Sequence, residues 1–236
     1  MAIPGGFGGL VGIHQHLIRN PEANATGNAL HPGHSQTPER WTPTFYLVPY
    51  HAIDRVELGL GGRASFHDID ANLLNAAIRR VVDVEGPVHF QVLADRLLTA
   101  ADVGRLGSRI RARIEAHLDS LQDAGELLWQ DEFIGRPTQF LVPRLRDWSG
   151  APEKTRDLDH VHNTELMLCL FHAVLEQEGA DADTVMNDGL YRIGFVRLTT
   201  NARNRLQAPL QALIDEHMVG RRGDRLFLAR EAFLRR

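Results

Sequence analysis

The feature that most constrains the fold of this chain is an order of elements that its sequence predicts twice. Each half places a helix ending near a glycine, a short helix, a long helix and then two extended apolar segments around a polar turn. The two halves share this order but not their residues, so the repeat lies in the pattern. Such a repeat predicts two small units in tandem, each mainly helical with a β-hairpin.

The first unit is expected over residues 69–143. Asp70 is a fair N-cap for its first helix, and Gly86-Pro87 is a stop signal, because glycine ends helices and proline fixes φ. Apolar spacing, together with helix-breaking glycine and proline, predicts three helices: one from Ile69 to Gly86, a short one through Phe90 and Leu97, and a third from Gly107 or Ser108 to Ala124. Extended segments at 127–129 and 139–142 are expected to follow, around a turn at 131–138.

The second unit is expected over residues 157–230. Pro209 predicts a kink or break in its third helix, because proline removes a backbone donor. The predicted elements are a helix through Leu166 and Leu175 that ends at Gly179, a second from Asp183 through Ile193, a third over about 201–216, and extended segments at 218–219 and 226–228 around a turn at 220–224.

Three segments lie outside the two units. Residues 1–40 are rich in Gly, Asn, Pro and His, which predicts a flexible tail. Residues 41–68 are expected to form an extended arm with a short strand near Leu47. Residues 144–156 contain Gly150 and Pro152 among charged residues, which predicts a linker between the units.

Three helices followed by a small hairpin are the element order of a winged helix. A chain of 236 residues can form two cores of about 100 residues each. The sequence therefore predicts a mainly α fold with small β-hairpins, built from tandem winged-helix-like units.

Composition limits the classes of function. The net charge of −4 argues against a protein that coats nucleic acid over its whole surface, so any such contact must be local. The longest apolar run, residues 166–171, is far shorter than the roughly 20 residues of a membrane span, and the start lacks a signal-peptide pattern, so a cytoplasmic protein with no membrane contact is expected. Cys169, the single cysteine, lies in that run and is expected to be a small core residue.

The motifs of common active sites are missing from the sequence. It has no Gly-x-x-x-x-Gly-Lys-Ser/Thr phosphate loop, no His-Glu-x-x-His helix, and no Gly-x-Ser-x-Gly elbow around Ser149. The His-x-His pairs at 14 and 16 and at 160 and 162, with His31 and His34, are weak candidates for a metal. His89 follows Gly86-Pro87 and is expected to cap or hydrogen-bond within that turn. We therefore expect no catalytic residue, metal or cofactor.

Three motifs carry a resemblance to a known family. They are Ile-Arg-Arg-Val-Val-Asp-Val-Glu-Gly-Pro-Val-His at 78–89, Arg-Leu-Gly-Ser-Arg-Ile at 105–110 and Gly-Phe-Val-Arg at 194–197. Together they resemble the uncharacterised C-terminal domain of large bacterial superfamily 1 helicase-like proteins, over roughly residues 68–228. The resemblance implies an accessory to ATPase and nuclease modules in DNA repair or defence. Because the phosphate loop is missing, it implies a standalone homologue or a partner of a separate helicase or nuclease.

The candidate DNA-binding residues follow from how winged helices bind DNA. The third helix commonly enters the major groove, while the wing touches phosphates or the adjacent minor groove. In the first unit the candidates are Arg105, Ser108, Arg109 and Arg113, with Arg109 and Arg113 together on an outer face. In the second unit they are Arg197, Thr200, Asn201 and Arg203 near a helix start, and Arg221 and Arg222 on the wing. The alternatives are solvated arginines and plain helix caps.

These observations predict a non-catalytic DNA-binding accessory protein that grips double-stranded DNA through phosphates with weak sequence preference. The alternative is a protein-interaction module of a multi-subunit repair or anti-phage complex, whose arm adds a strand to a neighbour. A homodimer stays open in both cases. A continuous stripe through Arg109, Arg113, Arg203 and Arg221 would favour DNA, whereas arginines paired to acids would favour a protein partner.

Overall fold

A computed structural model of the chain describes residues 46–141 and 144–229; the tail expected at residues 1–40 lies outside them. The described residues are mainly helical and carry three small sheets. They divide into two apolar cores, one for each half of the chain. No helix in these residues combines the length and the apolar character needed to cross a bilayer.

The segment before the first unit is extended only at its start. Strand β1, Leu47–Pro49, is followed by two short 3-10 helices, Arg55–Leu58 and Phe66–Asp68. The expectation of an extended arm over 41–68 is therefore wrong beyond β1. The physical reason is apolar content, since this segment buries Ile53, Leu58, Leu60 and Phe66 in the first core.

The first helix of the first unit begins where the sequence predicts. Asp70 accepts hydrogen bonds from the amides of Asn72 and Leu73 at 2.8 and 3.2 Å, so it is the N-cap. Helix α1, Ala71–Glu85, then buries one apolar face in the core and ends at Gly86. Gly86 is required there because a Cβ would lie 2.5 Å from the backbone oxygen of Val82.

The other helices and the hairpin of the first unit follow in the predicted order, and a strand that the sequence does not predict lies between the first two helices. In sequence they are strand β2 (Val88–His89), helix α2 (Phe90–Ala100), helix α3 (Ser108–Asp123), strand β3 (Leu128–Gln130) and strand β4 (Phe133–Gly135). The three strands form one antiparallel sheet in the order β2-β4-β3. The strand between α1 and α2 thus pairs with the last strand of the unit, which closes the core on one side.

The second strand of the first hairpin lies earlier than predicted. The turn is only Asp131-Glu132, with φ of 46° and 70°, and positive φ at both turn residues suits a tight two-residue hairpin. Gly135 is part of the strand rather than of a turn, because it pairs with Leu128 of β3, and the Phe140 ring packs where its Cβ would be. Residues 139–141, predicted to be extended, lie in helix α4, Pro137–Leu141, which starts at a proline.

The segment between the units is built into the fold. Strand β5, Leu145–Asp147, pairs in parallel with β1, and a 3-10 helix, Trp148–Gly150, follows it. Leu145 and Trp148 are buried in the core of the second unit. The expected linker does separate the two units in sequence, but its first half is a packed joint.

The second unit repeats the element order of the first. Its elements are helix α5 (Asn163–Glu176), helix α6 (Ala182–Arg192), helix α7 (Thr200–Asp215), strand β6 (Val219–Arg222) and strand β7 (Arg225–Leu228). Asp181 bridges Arg225 of β7, and the neighbouring backbone of Gly179 and Ala180 bonds Leu226. Residues 179–181 therefore take the place that β2 has in the first unit.

Helix α7 runs through Pro209 without the predicted break. Pro209 is buried on the inner side of the helix, beside Leu206, Leu210 and Leu213. Packing of this apolar side against the second core outweighs the backbone hydrogen bond that proline cannot make.

A network of buried charges joins the two units. Glu85 at the end of α1 accepts hydrogen bonds from Arg96 on α2 and from the Tyr50 hydroxyl. Arg146 on β5 pairs with Glu165 on α5 at 2.6 Å and donates to the Glu85 carbonyl oxygen at 2.7 Å. Burial opposes the charge on Arg146, but the attraction of Glu165 and its hydrogen bonds outweigh burial and raise the pKa of Arg146. The two cores are thus tied through paired and hydrogen-bonded ions.

We expect Glu165→Gln to lower the free energy of unfolding by about 3–5 kcal/mol, because it leaves the buried Arg146 guanidinium without its counter-charge. The matched control is Asp102→Asn, which breaks an ion pair with Arg55 whose two side chains are more than half exposed. That change should cost about 1 kcal/mol or less. Urea denaturation followed by far-ultraviolet circular dichroism measures both, and equal losses in the two variants would contradict the proposed weight of the buried pair.

Candidate nucleic-acid interface

The start of helix α7 is capped by the side chain of the threonine that precedes it. Thr199 Oγ1 accepts a hydrogen bond from the Ala202 amide at 3.1 Å, so Thr199 is the N-cap. Thr200 and Asn201, predicted to contact DNA, lie exposed in the first turn. Neither of their side chains has a hydrogen-bond partner among the described residues. Both side chains are therefore open to solvent and to a ligand.

The solvent side of α7 is polar and uncharged over most of its length. Its inner side is the apolar face in the second core, which leaves the opposite positions exposed. These exposed positions, spaced by three and four residues, are Thr200, Asn201, Asn204, Gln207, Ala208 and Gln211. No acidic residue occurs in the sequence between Asp188 and Asp215. The face therefore presents amides and a hydroxyl.

Arginines flank this amide face. Arg197, in the loop before α7, and Arg221, on β6, are both exposed and have no ion-pair partner within residues 46–141 and 144–229. Arg203 pairs with Asp183 of α6. Arg222 lies 5.6 Å from the centre of the Phe227 ring, with its side chain exposed. Of the predicted arginines of this unit, only Arg203 is held by a carboxylate.

An open groove brings several of these side chains together. It runs between the start of α6, the middle of α7 and strand β6, and encloses about 480 Å³. Arg221 lies across this groove from α7. The polar side chains on its walls are Asp183, Arg203, Gln207, Gln211 and Arg221. Arg221 of β6 and exposed residues of α7 thus line one groove.

The two hairpins carry opposite charge at their tips. The β6–β7 turn, Gly223-Asp224, is flanked by Arg221, Arg222 and Arg225. The β3–β4 turn consists of Asp131 and Glu132, both exposed. A phosphate is attracted by the basic β6–β7 tip and repelled by the acidic β3–β4 tip.

In the first unit only the start of the third helix is open and basic. Arg105, Ser108 and Arg109 are exposed, and neither arginine has an ion-pair partner among the residues described. Farther along α3 the exposed charges are acidic, at Asp119 and Asp123. The basic surface of this helix is therefore limited to its first turn and the preceding loop.

Arg113 does not project with Arg109 as predicted. Its guanidinium donates to the backbone oxygen of Phe66 at 2.6 Å and to that of Ile69, and it lies over the Phe66 ring. The backbone carbonyls of two buried residues outcompete solvent for this guanidinium, because buried acceptors need donors. Arg113 holds the 3-10 helix before α1, and we remove it from the candidate interface.

The arginines proposed as a stripe fall into two groups. Arg109 and Arg221 are exposed and unpaired in the part of the chain that the structure describes, whereas Arg113 binds backbone and Arg203 pairs with an acid. The basic surface is consequently made of separate patches, the larger around α7 and β6.

The histidines that could be considered catalytic or metal-binding make structural hydrogen bonds instead. His89 Nδ1 accepts from the Gln91 amide at 3.1 Å and caps α2, as predicted. His160 Nδ1 lies 3.0 Å from the Thr155 oxygen, and His162 Nδ1 caps α5. No metal-holding group of three acidic, histidine or cysteine side chains occurs among residues 46–141 and 144–229. The remaining predicted histidines, at 14, 16, 31 and 34, lie outside these ranges.

Burial explains the properties of two titratable groups. His162 packs edge-on against Phe133 and Phe140 between the units, and burial, with a smaller effect of Arg146 and Arg205, lowers the pKa of His162 to about 4. Cys169 is fully buried, as predicted, and burial raises the pKa of its thiol. A thiol held in its neutral form is a poor nucleophile.

Two sets of residues escaped the sequence analysis. Asn204, Gln207 and Gln211 lie on the candidate interface, and their spacing opposite Leu206, Leu210 and Leu213 is the signal that could have found them. The buried Arg146–Glu165 pair had no such signal, because its residues come from a strand and a helix that meet only in the folded chain.

Comparison with known proteins gives one match. Residues 64–112 match the family described as a protein of unknown function, DUF3320. This stretch contains α1, β2, α2 and the start of α3, and with them the first two of the three sequence motifs. No curated protein and no solved structure matches the chain significantly.

We expect the chain to lose stability as pH falls from about 6.5 towards 4, in part through His162. The unfolded chain takes up the proton near the ordinary histidine pKa of about 6.5, whereas the folded chain resists it until about 4. The free energy of unfolding is therefore undiminished by His162 above about pH 6.5. Below that pH the loss due to His162 grows, and it amounts to roughly 3 kcal/mol at its largest.

His162→Asn keeps a capping side chain but does not titrate in this range, so its free energy of unfolding should fall less steeply between pH 6.5 and 4. Urea titrations at a series of pH values measure the slope, with His67→Asn at an exposed position as control. A slope in His162→Asn equal to that of the unmodified chain would refute this assignment.

Proposed function

We propose that both units are winged helices and that the protein is a non-catalytic DNA-binding accessory protein, directed mainly to the phosphates of double-stranded DNA. The observation that carries this proposal is the surface of the second unit, where Arg197 and Arg221, unpaired among the described residues, border a third helix that has no acidic residue before Asp215. Such a surface attracts a polyanion at its rim and admits neutral polar contact at its centre.

Topology supports the winged-helix assignment. In the first unit the strand between the first two helices pairs with the last strand of the hairpin, in the order β2-β4-β3. In the second unit the Asp181–Arg225 bridge has the same place. The third helix is left with a free outer face in both units, which is the face that such units place in the major groove.

The acidic net charge is compatible with this role because the positive charge is local. The chain carries a net charge of −4, yet residues 189–214 lack acids and contain four arginines: Arg192, Arg197, Arg203 and Arg205. Arg192 and Arg205 are held by partners within the fold. The others remain at the surface for a ligand.

Arg203 can also reach a phosphate. Its ion pair with Asp183 is exposed, with side-chain exposures of 41% and 56%. Exposed pairs contribute about 1 kcal/mol or less, so exchange of the carboxylate for a phosphate costs little. Arg203 is therefore a secondary contact, and Arg197 and Arg221 are the primary ones.

The accessory role rests on the resemblance of the three motifs to the C-terminal domain of superfamily 1 helicase-like proteins, two of which lie in the matched stretch 64–112. Since the sequence contains no phosphate loop, a motor would come from a separate helicase or nuclease. DNA repair or anti-phage defence in the cytoplasm is the setting in which such a protein would act.

The Arg197→Ala and Arg221→Ala double variant should lower affinity for duplex DNA about tenfold or more. It should also reduce the slope of log K against log salt by about 1.8, since each phosphate contact contributes about 0.9. Fluorescence anisotropy with a labelled duplex across a salt series measures both quantities.

The matched control removes the same charge elsewhere. Arg55→Ala with Arg80→Ala breaks two exposed ion pairs on the first unit, with Asp102 and Glu57, and should leave affinity within about twofold. Duplex binding that is equally weak in both double variants would show a general charge effect and contradict the assigned surface.

A second double variant tests the first unit. Arg105→Ala with Arg109→Ala removes the two exposed, unpaired arginines near the start of α3, and it should also reduce the salt slope by about 1.8. The same anisotropy series measures it. An unchanged slope would confine phosphate contact to the second unit.

One observation favours the alternative role in protein docking. Among the described residues strand β1 pairs only with β5, and Tyr46, Leu47 and Val48 around it are 78%, 46% and 39% exposed. An exposed apolar edge strand can pair with a strand of another protein. If the chain binds no duplex at low salt and its mass in solution is that of a single chain, the next experiment is a search for a protein partner of this edge.

A further inference from the structure

We propose that helix α7 reads base edges in the major groove through Asn204 and Gln207, with a preference for sites that contain adenine. This inference rests on the proposed function and specifies which chemical groups of the DNA the second unit recognises. It assigns to α7 a modest sequence preference in addition to phosphate binding.

The first step is the position of the two amides. Asn204 and Gln207 lie three residues apart on the exposed face of α7, on the side opposite to the buried Leu206 and Leu210. Neither side chain has a hydrogen-bond partner within the described ranges of the chain. Their donors and acceptors are both satisfied only by solvent, so a ligand can take them without breaking a contact of the fold.

The second step is the absence of charge. Exposed helix faces are usually covered with charged residues, and 24% of this chain is charged. The exposed amide positions of α7 nevertheless have no acid among them before Asp215, and the charge of Arg203 beside them is paired with Asp183 of α6. A neutral centre does not repel the polyanion and avoids burying an unpaired ion against the bases.

The third step is the small residue beside the amides. Ala208 lies next to Gln207 on the same exposed face. A methyl side chain lets the helix backbone approach a groove floor closely and can contact the thymine methyl group. Between Asn204 and Gln211 the exposed face of the helix therefore has a short side chain at its centre.

The fourth step is chemical matching. The amide of asparagine or glutamine can donate to N7 and accept from the N6 amino group of adenine, which is a bidentate contact that other bases do not offer in the major groove. Arg221 lies across the groove from Gln207 and Gln211, where it would hold the phosphate backbone and fix the register of the helix. Base reading and phosphate gripping therefore use neighbouring side chains.

The experiment selects binding sites from a pool of random duplexes with the full chain, then measures affinity for the selected site, for scrambled sites, and for the selected site with 7-deazaadenine in place of adenine. The analogue keeps Watson–Crick pairing but lacks the N7 acceptor. We expect the selected site to contain adenine and to bind at least about fivefold more tightly than scrambled or analogue duplexes.

The Asn204→Ala and Gln207→Ala double variant should lose this discrimination while keeping the salt dependence of binding. Both positions are exposed, so the variant should fold. The matched control, Asn72→Ala with Gln91→Ala, removes exposed amides from α1 and α2 and should keep the discrimination.

The outcomes separate this inference from the proposed function. Equal, salt-sensitive affinity of the unmodified chain for all duplexes would overturn base reading and leave phosphate binding in place. Discrimination that persists in Asn204→Ala with Gln207→Ala, or a preference for single strands or RNA, would also overturn it. No binding to any duplex at low salt would overturn both.

Discussion

The structure depends on the burial of one guanidinium. Arg146 is 6% exposed and contacts both units at once: it pairs with Glu165 of the second unit and donates to the backbone oxygens of Glu85 and Pro87 at the end of α1. The rings of Trp148 and Tyr50, which pack against each other, also lie next to it, with their centres 4.7 and 5.5 Å from the guanidinium carbon. A buried cation needs all of these partners, because the loss of hydration is compensated only when charge and hydrogen bonds are both satisfied. The two units therefore share one arrangement around Arg146.

This arrangement explains why the segment between the units is not a flexible linker. Strand β5 carries Arg146 inward, and its parallel pairing with β1 brings Tyr50 onto Glu85. Burial first, and then Glu85, raises the pKa of Tyr50, so its hydroxyl stays a donor. Arg96 completes the set by bonding Glu85 and Thr155. Since each partner comes from a different element, a change in the angle between the units would leave a buried charge unpaired. The outer faces of α3 and α7 are consequently presented in a fixed relation.

Local signals predicted the helices and missed what depends on contacts. Apolar spacing and caps such as Asp70 located α1, α2, α3, α5, α6 and α7 to within a few residues, because they act within one or two turns of chain. The strand Phe133–Gly135 was misplaced because Gly135 and Pro137 are also turn signals, and only the packing of Phe140 shows that Gly135 accommodates a ring. Arg113 was assigned to solvent for the same reason: its backbone acceptors lie over 40 residues earlier in the chain. For the candidate site, the sequence located the arginines, whereas the fold decides which of them are free.

The two hairpins differ in the charge of their tips, so the two units present different surfaces to a ligand. Both place the same elements in the same order, yet Asp131 and Glu132 make one tip acidic, while Arg221 and Arg222 make the other basic. An acidic tip repels the phosphates of DNA, whereas a basic tip such as that of the β6–β7 hairpin attracts them. In the proposed interface the first unit contributes only the start of α3, and its acidic tip is left for solvent or for a basic surface of another protein. With the units held together by Arg146, a partner bound at the first tip would be kept at a constant position relative to DNA bound along α7. This is the geometry that an accessory protein needs if it is to place a separate enzyme on DNA.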